Sequence, residues 1–236
     1  MTDARQGTTL EQSFEYRIKR QRRKTIALHV LADGTVEVRT PNWVPKYELV
    51  DFVERRSEWV IQRRREVLRD LANQPTFCDG QYHRFLGAMF PLRLSTARRG
   101  HVDFRDSVFL VTVRDKDDPV QVSKVMERWY REKAIELYEE RMFACFEQFP
   151  DWFQDKYVIP EITVRKMRRR WGSCSRAGEV TLNLALIKMP IRCLDYVIVH
   201  ELCHLEAFHH GKAFYRLLAL VMPSWKEHEN LIEQLS

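Results

Sequence analysis

No apolar run in the 236-residue chain approaches the ~18 residues a membrane-spanning helix needs, so no such span is expected. The polar start, MTDARQGTTLEQ, lacks the apolar segment of a secretory signal, and a cytoplasmic protein is the expectation. The five cysteines, Cys78, Cys145, Cys174, Cys193 and Cys203, are odd in number and contain no C-x-x-C pair. That argues against a disulfide framework and against a cysteine-only zinc site. Internal repeats and low-complexity linkers are lacking too, and the basic runs carry no interleaved aromatics of a nucleic-acid motif. What is present, 44% hydrophobic and 31% charged residues, is the composition of a globular chain able to build one generous domain or two small lobes.

One stretch dominates, LDYVIVHELCHLEAFHHG from Leu194 to Gly211. Its apolar residues Ile191, Leu194, Ile198, Leu202 and Leu205 fall on one stripe at about 100° per residue, which predicts an amphipathic helix. His200 and His204 lie about 40° apart on roughly the opposite side, so two imidazoles on successive turns can converge on one zinc ion. Glu201 points about 80° away from that direction. It is a poor ligand there but is placed to act as general base on a metal-activated water. A third protein ligand is expected, and His210 is the leading candidate. Six residues past His204, it reaches the cluster only if the helix ends near Ala207 or Phe208. No Gly or Pro before His210 forces that stop. His209 is the near rival, and Glu227 or Glu229 on a following helix are alternatives.

The stretch RRRWGSCSRAGEVTLNLALIKMPIRCLDYVIVHELCHLEAFHHGKAFYRLL, Arg168 to Leu218, closely resembles the YgjP-like family of zinc metallopeptidases, relatives of SprT-type proteins. The residues that carry the resemblance are Trp171 to Ser175, Leu182 with Asn183, Pro190, His200 to His204, and His210. His209 and Gly211 depart from it, where the family usually has Asn and Ser. The resemblance implies an α+β fold with a zincin-like catalytic part around the H-E-x-x-H helix, and Zn²⁺ held by His200, His204 and His210. It also implies a strand beside that helix whose open edge aligns an extended peptide over the metal. Trp171 and Ser173 are candidates to line that cleft; the simpler reading has Trp171 plugging the core and Ser173 closing a turn. Cys174 reads as a packed thiol rather than a nucleophile, and Cys203 likewise.

From the beginning, residues 1–12 are polar, without hydrophobic period, and are expected to be disordered. Ile26, Leu28 and Val30, answered after Ala32-Asp33-Gly34 by Val36 and Val38, predict a β-hairpin. Pro45 opens one long helix to about Leu71, with Leu49, Val53, Val60, Val67 and Leu71 on one side. Short strands between Phe77 and Arg114 are expected to extend the same sheet, giving a mainly antiparallel β region with one long helix over 13–118. A second long helix follows Pro119, with Val122, Val125, Met126 and Trp129 as core positions, and runs to about Phe149. FPDWFQDKYVIPE reads as a loop. Residues 162–189 read as strand, tight turn, strand, with Gly172 and Gly178 permitting the turn and Val180, Leu182 and Leu184 alternating on the second strand. The catalytic part would span 119–236, either as a lobe or sharing one core with what precedes it.

Lys plus Arg exceeds Asp plus Glu by six, with basic runs at Arg17 to Lys24 and Arg165 to Arg170. Such runs attract anions, so Arg168, Arg169 and Arg170 are candidate substrate-binding residues. The first function expected is hydrolysis of peptide bonds in a peptide or unfolded protein, with no membrane partner. The second is nucleotide pyrophosphatase activity on a nucleoside triphosphate such as UTP, an activity with which some members of the resembled family are labelled. There the arginines would neutralise phosphates and Mg²⁺ or Mn²⁺ could replace zinc. The third is a nucleic-acid or anion-binding module without catalysis.

Overall fold

A computed structural model of the chain describes residues 6–7, 14–31, 33–72 and 76–235. They belong to two compact units, Met1–Gln74 and Pro75–Ser236. The expectation for residues 1–12 lies outside the described residues, apart from the two-residue strand β1 (Gln6–Gly7). Among the described residues no helix is long and apolar enough to cross a membrane.

In the first unit, β1, β2 (Tyr16–Gln21), β3 (Ala27–Val30) and β4 (Val36–Pro41) form a sheet in the order β1-β2-β4-β3. The expected hairpin is β3–β4, antiparallel, with Leu28 opposite Val38 and Val30 opposite Val36. The β2–β4 pair is parallel, so the sheet is mixed rather than antiparallel throughout. The single helix expected from Pro45 is two, α1 (Lys46–Glu54) and α2 (Ser57–Ala72). They are divided where Arg56 N–H bonds Val53 three residues back instead of four, tightening the turn. Periodicity survives the break, since Leu49, Val53 and Val60 are all fully buried with Val36 and Val38.

The second unit opens with β5 (Tyr82–Phe85), β6 (Ala88–Thr96), β7 (His101–Arg105) and β8 (Val108–Val113), in the order β5-β6-β8-β7. This is a separate sheet, not an extension of the first, and its β6–β8 pair is again parallel. Its inner residues Leu92, Val102, Phe109, Val111 and Val113 share one core with α3 (Pro119–Phe146) through Val122, Met126 and Trp129. The core therefore runs across residue 118, as the expectation of a shared core allows, and the two compact units divide at Gln74–Pro75. Asp118 caps α3, its carboxylate accepting from Val120 N–H at 2.9 Å, and Pro119 sits in the first turn where no N–H is needed.

After α3 comes a six-residue helix, α4 (Asp151–Lys156), where a loop was expected. It is too short to show a period, but Pro150 precedes it and Phe153 anchors it, fully buried against Phe149. Then β9 (Ile162–Arg165), β10 (Gly172–Cys174) and β11 (Val180–Asn183) make a three-stranded sheet in the order β10-β11-β9, leaving β10 at an edge. Leu184 does not continue β11; it begins a short 3-10 turn, Leu184–Lys188, capped by the Asn183 side chain. The chain ends with α5 (Ile191–Glu206), α6 (Lys212–Val221) and α7 (Trp225–Gln234).

α5 is the central helix of this unit. Leu194, Ile198 and Leu202 are buried as expected, but so are Cys193, Val197, Val199 and Cys203, so the packed face is wider than the stripe; Ile191 in the first turn is exposed. The Arg141 guanidinium of α3 grips the Asp195 carboxylate through two hydrogen bonds, 2.8 and 2.9 Å, fixing α5 along α3.

Candidate active site

The helix that carries His200 and His204 stops where His210 requires it to. Ala207 leaves the helix with φ −132° and ψ 91°, although no Gly or Pro is present. Two contacts hold the stop. Lys156 Nζ and Tyr157 Oη donate to the Glu206 carboxylate at 2.6 and 2.8 Å. The His204 imidazole Nδ1 donates to the Ala207 carbonyl at 3.2 Å, which also leaves its Nε2 as a free lone pair. The turn returns His210, whose Nε2 lies 3.1 Å from His200 Nε2 and 3.0 Å from His204 Nε2.

Three imidazole nitrogens this close, all within 4.8 Å of one another, have no hydrogen-bond scheme that satisfies each pair. The observed separations are close to the ~3.3 Å expected between two nitrogens of a tetrahedral zinc with bonds of about 2.0–2.1 Å. Burial, and then the charges of His204 and His210, push the His200 pKa down to about 4; burial also lowers that of His204. Both are held neutral, the form a metal ligand needs. The residues present thus fit a divalent cation, and an all-imidazole donor set suits zinc rather than the oxygen-preferring Mg²⁺ or Mn²⁺. His210 completes the cluster. Of its rivals, His209 and Glu227 are exposed outside it, and Glu229 accepts a hydrogen bond from Tyr196 Oη at 3.0 Å.

Glu201 faces the other way from the histidines' packing side, under β10. It is 5% exposed, and burial raises its pKa to about 7 against the opposing pull of Arg170 and the N–H of Cys174. The expected role of Gly172 is corrected here. It lies inside β10 rather than at a turn, and a Cβ on it would sit 2.5 Å from Glu201 Oε1. Gly178, with φ +85°, is the glycine that makes the turn, and Ser175, not Ser173, closes it by accepting Glu179 N–H at 3.1 Å.

These groups line a cleft of about 610 Å³. Trp171 and Ser173 both border it, and Trp171 also packs on the core, so its two readings are compatible. Arg169 and Arg170 border it as well, while Arg168 is exposed and does not. Cys174 lines the cleft with its pKa pushed up to about 11 by burial and by Glu201, a thiol rather than a thiolate nucleophile. Cys203 is fully buried.

Three residues were not found from the sequence. Phe214 is fully buried beneath the cluster, with its ring 4.9, 4.8 and 4.6 Å from those of His200, His204 and His210. Tyr196 and Ile232 also line the cleft. Tyr196 is one turn before His200, a spacing that places it on the site face.

Residues 24–235, which include the three-histidine cluster and the buried glutamate, match the family described as YgjP-like, metallopeptidase domain. The chain belongs to the YgjP-like metallopeptidase family. Comparison with curated proteins gives no match. Among solved structures, the chain is similar to the crystal structure of the metallopeptidase zymogen of Pyrococcus abyssi abylysin, with 22% identity and a TM-score of 0.36 over 41% of this chain and 92% of that one.

Proposed function

We propose that the protein is a zinc-dependent peptidase in which His200, His204 and His210 hold the metal and Glu201 is the general base, within a zincin-like arrangement of α5 and the β10 edge. The observation that carries this reading is the convergence of three Nε2 atoms at the rim of the same cleft that buries Glu201. Zinc bound there supplies Lewis acidity toward a carbonyl oxygen and makes water more acidic. Glu201 takes the proton of the attacking water and passes it to the departing amine. The free edge of β10 receives an extended peptide or unfolded protein through main-chain hydrogen bonds, with Trp171 and Ser173 beside it.

Hydrolysis of a nucleoside triphosphate is less well supported. Arg169 and Arg170 face the cleft, but so do Glu229 and Glu233, which would repel a polyphosphate. Elemental analysis of the isolated protein should find one zinc per chain, lost in His210→Ala and kept in Glu229→Ala. The zinc-loaded protein should cleave an unfolded protein. Release of pyrophosphate from UTP that requires Glu201, with no peptide cleaved, would overturn the peptidase reading.

A further inference from the structure

We propose that Gly172 is a positioning residue for Glu201: the side chain it lacks is the space the carboxylate occupies, and β10 is the rest against which the base is held. The proposal builds on the general-base reading of Glu201.

Gly172 has no backbone need to be glycine. It lies in a regular strand, opposite Leu182 in an antiparallel pair, with φ outside the left-handed region that favours glycine. Glycine inside a strand weakens it, and a common reason for one is the close approach of another group. Here that group is identified. The three atoms nearest an added Cβ are all Glu201's: Oε1 at 2.5 Å, Cγ at 2.8 Å and Cδ at 2.9 Å. Two residues along, the N–H of Cys174 opposes the rise that burial causes in the pKa of the same carboxylate. One three-residue strand therefore does two things to one side chain, leaving room at Gly172 and easing its charge at Cys174.

The clash is with side-chain atoms of one residue, not with backbone. Gly172→Ala can therefore fold, and its strain is relieved by moving the carboxylate. No histidine atom is among the three nearest to the added Cβ, so metal binding should be kept.

The test compares Gly172→Ala with wild type by steady-state kinetics on an unfolded-protein substrate, zinc content and thermal midpoint. The expected result is a kcat about 100-fold lower, the scale of a misplacement of about 1 Å, with KM within about threefold and with zinc and midpoint preserved. Cutting the side chain back to Cβ removes all three contacting atoms, so on a Glu201→Ala background the same alanine should lower the residual kcat by less than about threefold. A retained kcat in the single variant, or an equal loss on both backgrounds, would overturn the proposal. An independent readout needs no turnover: in a ¹⁵N-labelled sample, Gly172→Ala should shift the Cys174 amide resonance toward its position in Glu201→Ala. A Cys174 amide unmoved from wild type refutes the packing argument whether or not peptide is cleaved. Full activity in Glu201→Gln would by contrast remove the general base itself while leaving the amide shift in place.

Discussion

Asn183 and Glu201 are equally buried, 5% exposed each, yet they are satisfied very differently. The Asn183 amide fills every hydrogen-bonding position it has. Its Nδ2 donates to the Met167 and Arg170 carbonyls at 2.9 and 2.8 Å, and its Oδ1 accepts from Met167 N–H at 3.4 Å and Ala185 N–H at 3.1 Å. The Glu201 carboxylate has no comparable set of partners: the Cys174 N–H and Arg170 only ease its charge, and it faces a cleft. A buried polar group whose bonds are all made holds structure; one left partly unmade in a cavity is available for chemistry. Asn183 ties down the Met167–Trp171 loop, which runs straight into the β10 edge that confines Glu201.

The comparison breaks most sharply under Glu201→Gln. The amide keeps the size and can still meet Cys174 N–H, but it cannot accept a proton. Turnover of a peptide substrate should fall by roughly 10²–10⁴-fold while zinc content stays at the wild-type level. Kinetics paired with elemental analysis checks it, and an unimpaired Gln variant would place the base elsewhere.

Asn183→Ala should act on stability first. It strips four backbone groups of their partner and removes the cap of the 3-10 turn, at a cost of about 2–4 kcal/mol read from the denaturant midpoint. If Asn183 only holds structure, the residual folded fraction should keep its zinc, because no histidine of the cluster contacts it.

The site was legible from the sequence to the extent that it is local. His200, Glu201 and His204 share one helix, so their directions follow from 100° per residue; even the helix stop at Ala207 followed, since His210 could reach the cluster in no other way. What was not legible depends on contacts between distant segments. The reason for a glycine at position 172 is a glutamate 29 positions later, and a motif containing Gly looks the same whether the residue makes a turn or makes room. The strands between Phe77 and Arg114 show their alternation but not their partners, so one sheet was expected where there are two. The six residues of α4 are too few to display a period. The Lys46–Ala72 break leaves the apolar spacing intact and hides for that reason.

His83 sharpens the comparison at its small end. It is 2% exposed, its Nε2 donates to the Thr76 carbonyl at 3.1 Å, and it does not line the site cleft. Burial, the largest cause, and the charge of Lys188 lower its pKa, while the bond to Thr76 opposes them. A histidine depressed in the folded state stays neutral there and protonates more readily when unfolded, where its pKa is about 6.5. The unfolded chain then binds more protons, so stability rises with pH across the window. The contribution is fully present above about pH 6.5 and is lost as pH falls from there toward the folded value. His83→Gln, which can still donate to Thr76, should lose less stability than wild type on acidification from about pH 7.5 to 5.5. The acid sensitivity of the His200, His204 and His210 cluster is common to both proteins and cancels in the difference. Parallel denaturant midpoints for the two proteins across that range would show that His83 is not held neutral by the fold.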